Sequence, residues 1–174
     1  MSLECMLDIE TLGKGNNALI LSIGAVKFDP RGEELDESFY ITINPEDAQG
    51  WGLDIDASTV IWWMGKSDSA REAFKNPYAL GLVDALNSFK NYLGCDMPVW
   101  GNGATFDNVI LKNAYEVIGE PTPWTYRSDR CYRTLAAICP DVKMSRIGTF
   151  HNAVDDAKSQ ALHLQRIYKK LGLN

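Results

Sequence analysis

The sequence predicts an α/β domain, and three features carry that reading. Three apolar, β-branched stretches separated by turn-rich segments fill the chain up to Ile43; from Asn44-Pro45 onward apolar residues recur at helical spacing. Among the later helical stretches lies a short apolar run, Pro98-Val99-Trp100, which leads through Gly101-Asn102-Gly103 into another helix.

The strands come first. Met6 to Ile9, Leu19 to Phe28 and Phe39 to Ile43 read as an antiparallel meander, because Gly13-Lys14-Gly15-Asn16-Asn17 and Asp29-Pro30-Arg31-Gly32 supply the turns between them. Helical signals follow at Asp56-Ala57-Ser58, over Ser67 to Phe74, and over Tyr78 to Leu93, where Leu82, Val83, Leu86, Phe89 and Leu93 lie near helical period. Pro98-Val99-Trp100 reads as a buried strand, and Val109, Ile110, Ala114, Val117 and Ile118 mark the helix after its glycine turn. A final helix starts near Asn152, with Ala157, Ala161, Leu164, Tyr168 and Leu171 forming one apolar stripe that docks it. With no repeat or low-complexity run, residues 1–174 are expected to form a single domain.

Composition narrows the function classes. At 174 residues and 45% hydrophobic side chains the chain can bury a substantial core, and it has no apolar run of membrane-spanning length, so a soluble, cytoplasmic protein with no membrane partner is expected. Four cysteines without Cys-x-x-Cys spacing suggest reduced thiols rather than a zinc site. A net charge of −6 argues mildly against a nucleic-acid binder, although a carboxylate site would lose much of its negative charge on loading divalent cations. The segment Arg127 to His151 runs the other way, with Arg127, Arg130, Arg133, Lys143 and Arg146 against Asp129 and Asp141. It reads either as a local basic patch or as a solvated loop and helix face.

Three places hold chemistry-bearing residues. In Asp8-Ile9-Glu10, strand alternation sends both carboxylates to one face, where they repel unless a cation joins them; solvated surface acids are the plainer reading. Asp107 follows Asn102-Gly103-Ala104-Thr105-Phe106 at a strand-to-helix turn, as a site acid or simply as a helix-starting acid. His151 precedes Asp155 and Asp156 at the start of the last helix, and a histidine that titrates near working pH suits proton removal from water. Asp155 and Asp156 read equally as acids that complement the helix N-terminus, and the other histidine, His163, lies well inside that helix and reads as structural or solvent-facing. Taken together, four carboxylates and one histidine without thiolates suit Mg²⁺ or Mn²⁺ and phosphodiester hydrolysis.

Asp8-Ile9-Glu10-Thr11, Asn102-Gly103-Ala104-Thr105-Phe106-Asp107 and His151-x-Ala153-x-x-Asp156-Ala157 resemble, in order, the three motifs of the DEDDh (DnaQ-like) 3′-5′ exonuclease superfamily. Thr59-Val60-Ile61-Trp62-Trp63, Ala70-Arg71, Tyr126-Arg127 and Arg133-Thr134-Leu135 are similar to its phage, prophage and bacterial group around exonuclease A, with exodeoxyribonuclease VIII-like and ribonuclease T-like members. The resemblance implies a ribonuclease H-like fold, a mixed five-stranded sheet flanked by helices. It implies that Asp8, Glu10, Asp107 and Asp156 hold two Mg²⁺ or Mn²⁺ ions, with Asp156 and not Asp155 the ligand and Asp155 an exposed acid, that His151 is the general base, and that nucleoside 5′-monophosphates are released from the 3′ end of DNA or RNA, single-stranded or at an overhang. Thr11, Leu12, Gly13, Asn102 and Phe106 would line the terminal nucleotide. Trp62 and Trp63, about 100° apart on a helix, would place one ring in the core and one toward a base; burial of both is the alternative. A homodimer is compatible with the resemblance. A ribonuclease H-type enzyme and a non-catalytic binding domain derived from such an exonuclease are the competing readings, and the intact set of acids weighs against the second.

Overall fold

A computed structural model describes residues 3–173. Strands β1 (Glu4–Thr11), β2 (Ile20–Phe28) and β3 (Leu35–Thr42) form the antiparallel meander, and β4 (Val99–Gly101) and β5 (Asp129–Cys131) extend the sheet in parallel beyond β1. The order is β3-β2-β1-β4-β5, a mixed five-stranded sheet flanked by helices. Strand β5 was not foreseen. Its three residues, Asp-Arg-Cys, carry no apolar alternation, and only their pairing with Val99, Trp100 and Gly101 makes them a strand.

The two faces of the sheet bury different layers. Cys5, Leu7 and Ile9 of β1 join the larger core, with Leu82, Leu86 and Phe89 of α3 (Leu82–Leu93) and Ile110, Leu111 and Ala114 of α4 (Asp107–Val117). Met6 points the other way, into a smaller core with Val26, Phe28, Tyr132 of α5 (Tyr132–Ile138) and Ala157, Ala161 and Leu164 of α6 (Ala153–Leu171). Each fully buried Leu, Ile or Phe here contributes roughly 1.5–3 kcal/mol relative to exposure. Asp8 and Glu10 share the face of Met6 by alternation, so the α6 side of the sheet carries the acids.

That closeness depends on small residues. Ala153, Ala157 and Ala161, four apart along α6, are fully buried. Gly24, paired with Asp8 across the β1–β2 ladder, has no room for a side chain: a Cβ there would lie 2.1 Å from the Ala153 carbonyl carbon and the Val154 nitrogen. Asn152 caps α6 by accepting from the Asp155 amide, and Gly172, at φ 65°, ends it.

Several sequence expectations shift. Ser67 to Phe74 is mostly turn, with a 3₁₀ segment only at Glu72–Lys75; the Ser67 hydroxyl accepts from the Ala70 amide and offers the backbone an alternative to a helix. The helix placed over Tyr78 to Leu93 begins at Leu82, whose amide donates 2.7 Å to Asp47 from α1 (Pro45–Gly50), a cap invisible to local sequence. Leu171 is 40% exposed, so the α6 stripe ends before it. All four cysteines are free, and Cys95 is exposed rather than packed. No helix among the described residues is long and apolar enough to cross a membrane.

Candidate active site

The acids converge from three elements. Asp8 and Glu10 stand on β1, Asp107 opens α4 after the glycine turn, and Asp156 sits in the first turn of α6. With His151 they line one cavity of about 240 Å³. The Ile9 amide, between the two β1 acids, donates to Asp107 Oδ1 at 3.4 Å and holds that carboxylate against the strand. Asp107 is 3% exposed and its Oδ2 has no partner. A surface or merely helix-starting role for Asp107 does not account for a buried, half-satisfied carboxylate.

Electrostatics follow from this crowding. Burial, then the charges of Asp107, Glu10 and Asp156, hold the Asp8 carboxyl well above its ordinary value, against a lowering hydrogen bond from Gln160. Glu10 is pushed up to about 8 by burial and by Asp156 and Asp107. Asp107 rises to about 7 through burial, opposed by backbone amides and the Arg133 guanidinium. Burial also raises Asp156, which Arg146 counters through an ion pair. Burial and mutual repulsion thus disfavour the ionised forms of these acids, and a bound cation would offset that cost.

His151 is held by a built loop. Its φ is +61°, the only positive value for a non-glycine among the described residues, a conformation costly enough to need support from its surroundings. The His151 amide donates to Asp156 Oδ2 at 3.1 Å, and the Thr149 amide to Asp155 Oδ2 at 2.7 Å. Asp155 is therefore a partly buried loop anchor and not the exposed acid expected; Gly148, at φ 70°, leaves the space its carboxylate fills. The imidazole meets Trp62 edge to face at 4.9 Å. Burial lowers its pKa first, and Lys66 and Arg146 lower it further, while Asp156 opposes them. His163 is buried, bonded to the Tyr132 hydroxyl at 2.6 Å and the Val142 carbonyl at 2.7 Å, which makes it structural.

A second cavity of about 400 Å³ adjoins the first through Ile9, Glu10 and Phe106, and Thr11, Gly13, Trp62 and Trp63 line it. The tryptophans differ in burial. Trp63 is 3% exposed and its indole N–H donates 2.9 Å to the Thr11 carbonyl, whereas Trp62 is 44% exposed with Lys66 3.8 Å from its ring centre. Leu12 belongs to the core and lines neither cavity. Asn102 lines the acidic cavity instead, and its carbonyl accepts from Arg133 at 2.6 Å.

Arg133, Arg146 and Gln160 also line the acidic cavity, where no sequence signal placed them. The arginines lie in the basic segment, which is thus partly turned inward; Gln160 could have been found one helical turn after Asp156. Lys14, Ser58 and Thr59 join the wall of the second cavity from loops and α2 (Ala57–Met64).

The residues fit divalent cations. Ligand atoms of Glu10, His151 and Asp156 all lie within 4.8 Å of one another, Asp107 Oδ2 is an orphaned buried acceptor, and the donors are mainly hard oxygens.

Solved structures with this fold include E. coli exonuclease I in complex with a dT13 oligonucleotide, at a TM-score of 0.71 and 13% identity, covering 99% of this chain and 42% of that one. The nuclease domain of 3′hExo, a DEDDh family member bound to rAMP, matches at 0.66 and 14% identity over 97% of this chain and 92% of that domain. The exodeoxyribonuclease of enterobacteria phage T4 is 24% identical over 122 residues, 62% of this chain, so the match spans about half (53%) of that relative's length. Residues 3–168 match the profile of the 3′-5′ exoribonuclease Rv2179c-like domain, and with the acids, the histidine and the sheet disposed as above, the chain belongs to that family.

Proposed function

We propose that this chain is a divalent-metal-dependent 3′-5′ exonuclease that removes nucleoside 5′-monophosphates from the 3′ ends of single-stranded nucleic acid or overhangs. The convergence of Asp8, Glu10, Asp107 and Asp156 with His151 in one cavity, beside an aromatic-walled cleft, carries the reading. The four carboxylates would hold two Mg²⁺ or Mn²⁺ ions. When bound, such ions acidify the attacking water and stabilise charge on the leaving oxygen.

The protein's own groups do the rest. His151, kept neutral by its lowered pKa, accepts the proton of the attacking water at a ring nitrogen. Arg133 and Arg146 at the cavity wall offer positive charge to phosphate. Thr11, Gly13 and Phe106 shape the space for the terminal nucleotide, and the half-exposed Trp62 ring, with Lys66 over it, is available to a base while Trp63 braces the Thr11 turn. The family description supports RNA as substrate; the T4 relative and the dT13 complex support DNA.

The test is incubation with matched single- and double-stranded DNA and RNA, labelled at the 5′ end, in Mg²⁺, Mn²⁺ or EDTA, beside Asp156→Ala. A metal-dependent ladder shortening from the 3′ end, absent in the variant, is the expected result and identifies the polymer. Intact substrates in every arm would replace this reading with that of a binding domain.

A further inference from the structure

We propose that Gln160 is a positioning residue that sets the Asp8 carboxylate for divalent-metal binding, an inference that rests on the metal-dependent reading above. Gln160 stands one turn beyond Asp156 on α6, so both side chains leave the same face of the helix. It is 4% exposed, and its Nε2–H donates to Asp8 Oδ1 at 2.8 Å, joining residues 152 positions apart across the α6–β1 interface.

The chemistry suits an uncharged donor. A carboxylate among other acids turns away from them or takes up a proton unless something holds it. The amide binds one oxygen and leaves the other for a cation. Lysine or arginine here would supply a donor too, but its charge would compete with the metal; glutamine adds a hydrogen bond without charge.

The experiment is titration of the full chain with Mn²⁺ by calorimetry at fixed pH, for wild type, Gln160→Met and Gln160→Ala, with thermal unfolding in EDTA alongside. Met keeps the volume, and Ala removes the amide without overpacking. Both variants are expected to stay folded in EDTA, melting below wild type for the lost hydrogen bond and, in Ala, the lost volume, and to bind Mn²⁺ about 10- to 100-fold more weakly. At saturating Mn²⁺ their KM for a single-stranded oligonucleotide should stay at the wild-type value while kcat falls. Wild-type Mn²⁺ affinity in either folded variant would overturn the role of Gln160 alone, because wild type would still bind metal. Failure of the wild-type chain to bind Mn²⁺ would overturn the metal-dependent reading and this inference together.

Discussion

Replacing Glu10 by Gln should stabilise the metal-free protein while abolishing its activity. Burial and the neighbouring Asp156 and Asp107 push the Glu10 carboxyl from its ordinary 4.5 up to about 8. A raised carboxyl pKa means that the folded state binds more protons than the unfolded one, so stability is full below about pH 4.5 and is lost as pH rises toward 8. At pH 7.5 the gap from 4.5 is about three pH units, and at about 1.4 kcal/mol per unit the ceiling on this penalty is about 4 kcal/mol. Relaxation and shared protons among coupled acids reduce it, and about 2 kcal/mol corresponds to roughly 4–8 °C in Tm for a chain of this size. Gln keeps the shape and cannot ionise. Differential scanning calorimetry in EDTA should show Glu10→Gln melting above wild type at pH 7.5, with the gap closing toward pH 4.5. Adding Mn²⁺ should raise wild type and leave the variant nearly unmoved. An equal or lower Tm for the variant at pH 7.5, or a gap independent of pH, would refute the claim that the acids are held in electrostatic conflict.

Further outcomes follow from particular contacts. Gly24→Ala drives a methyl into the backbone of Ala153 and Val154, so a loss of about 1–3 kcal/mol is expected, with activity falling further because Asp156 is displaced from Asp8; chemical denaturation and nuclease assay measure the two. Trp63→Ala removes a buried ring and the partner of the Thr11 carbonyl and should cost about 3–5 kcal/mol, whereas Trp62→Ala should leave Tm nearly unchanged and raise KM several-fold. Lys66 helps hold the His151 pKa down, so the base form persists to lower pH. In Lys66→Met the acidic limb of kcat/KM should move upward, with less activity near pH 6 and wild-type activity near pH 8; an unmoved limb would show that another group governs it.

Much of this protein was legible in the sequence because its signals are local or periodic. The β1–β3 meander, α4 after its glycine turn and the apolar face of α6 all come from alternation, helical period and turn residues, which neighbouring residues dictate. Asp8, Glu10, Asp107, His151 and Asp156 were likewise marked by their motifs, and the structure gathers all five around one cavity. Strand β5 was not legible, since three polar residues become a strand only when β4 presents an open edge. Neither was the start of α3, whose cap comes from Asp47.

The sequence by itself determined which acids could share a site and that Asp8 and Glu10 face the same way, because strand alternation is a property of the chain. Tertiary structure alone decided how closely they meet: Gly24 and the alanines of α6 set the distance between helix and sheet, and that distance brings Asp156 to the β1 acids. It also decided which tryptophan is buried, that Arg133 and Arg146 turn inward, and that Gln160 reaches Asp8. These contacts join residues far apart in the chain, and their energies depend on packing and desolvation that no local pattern encodes.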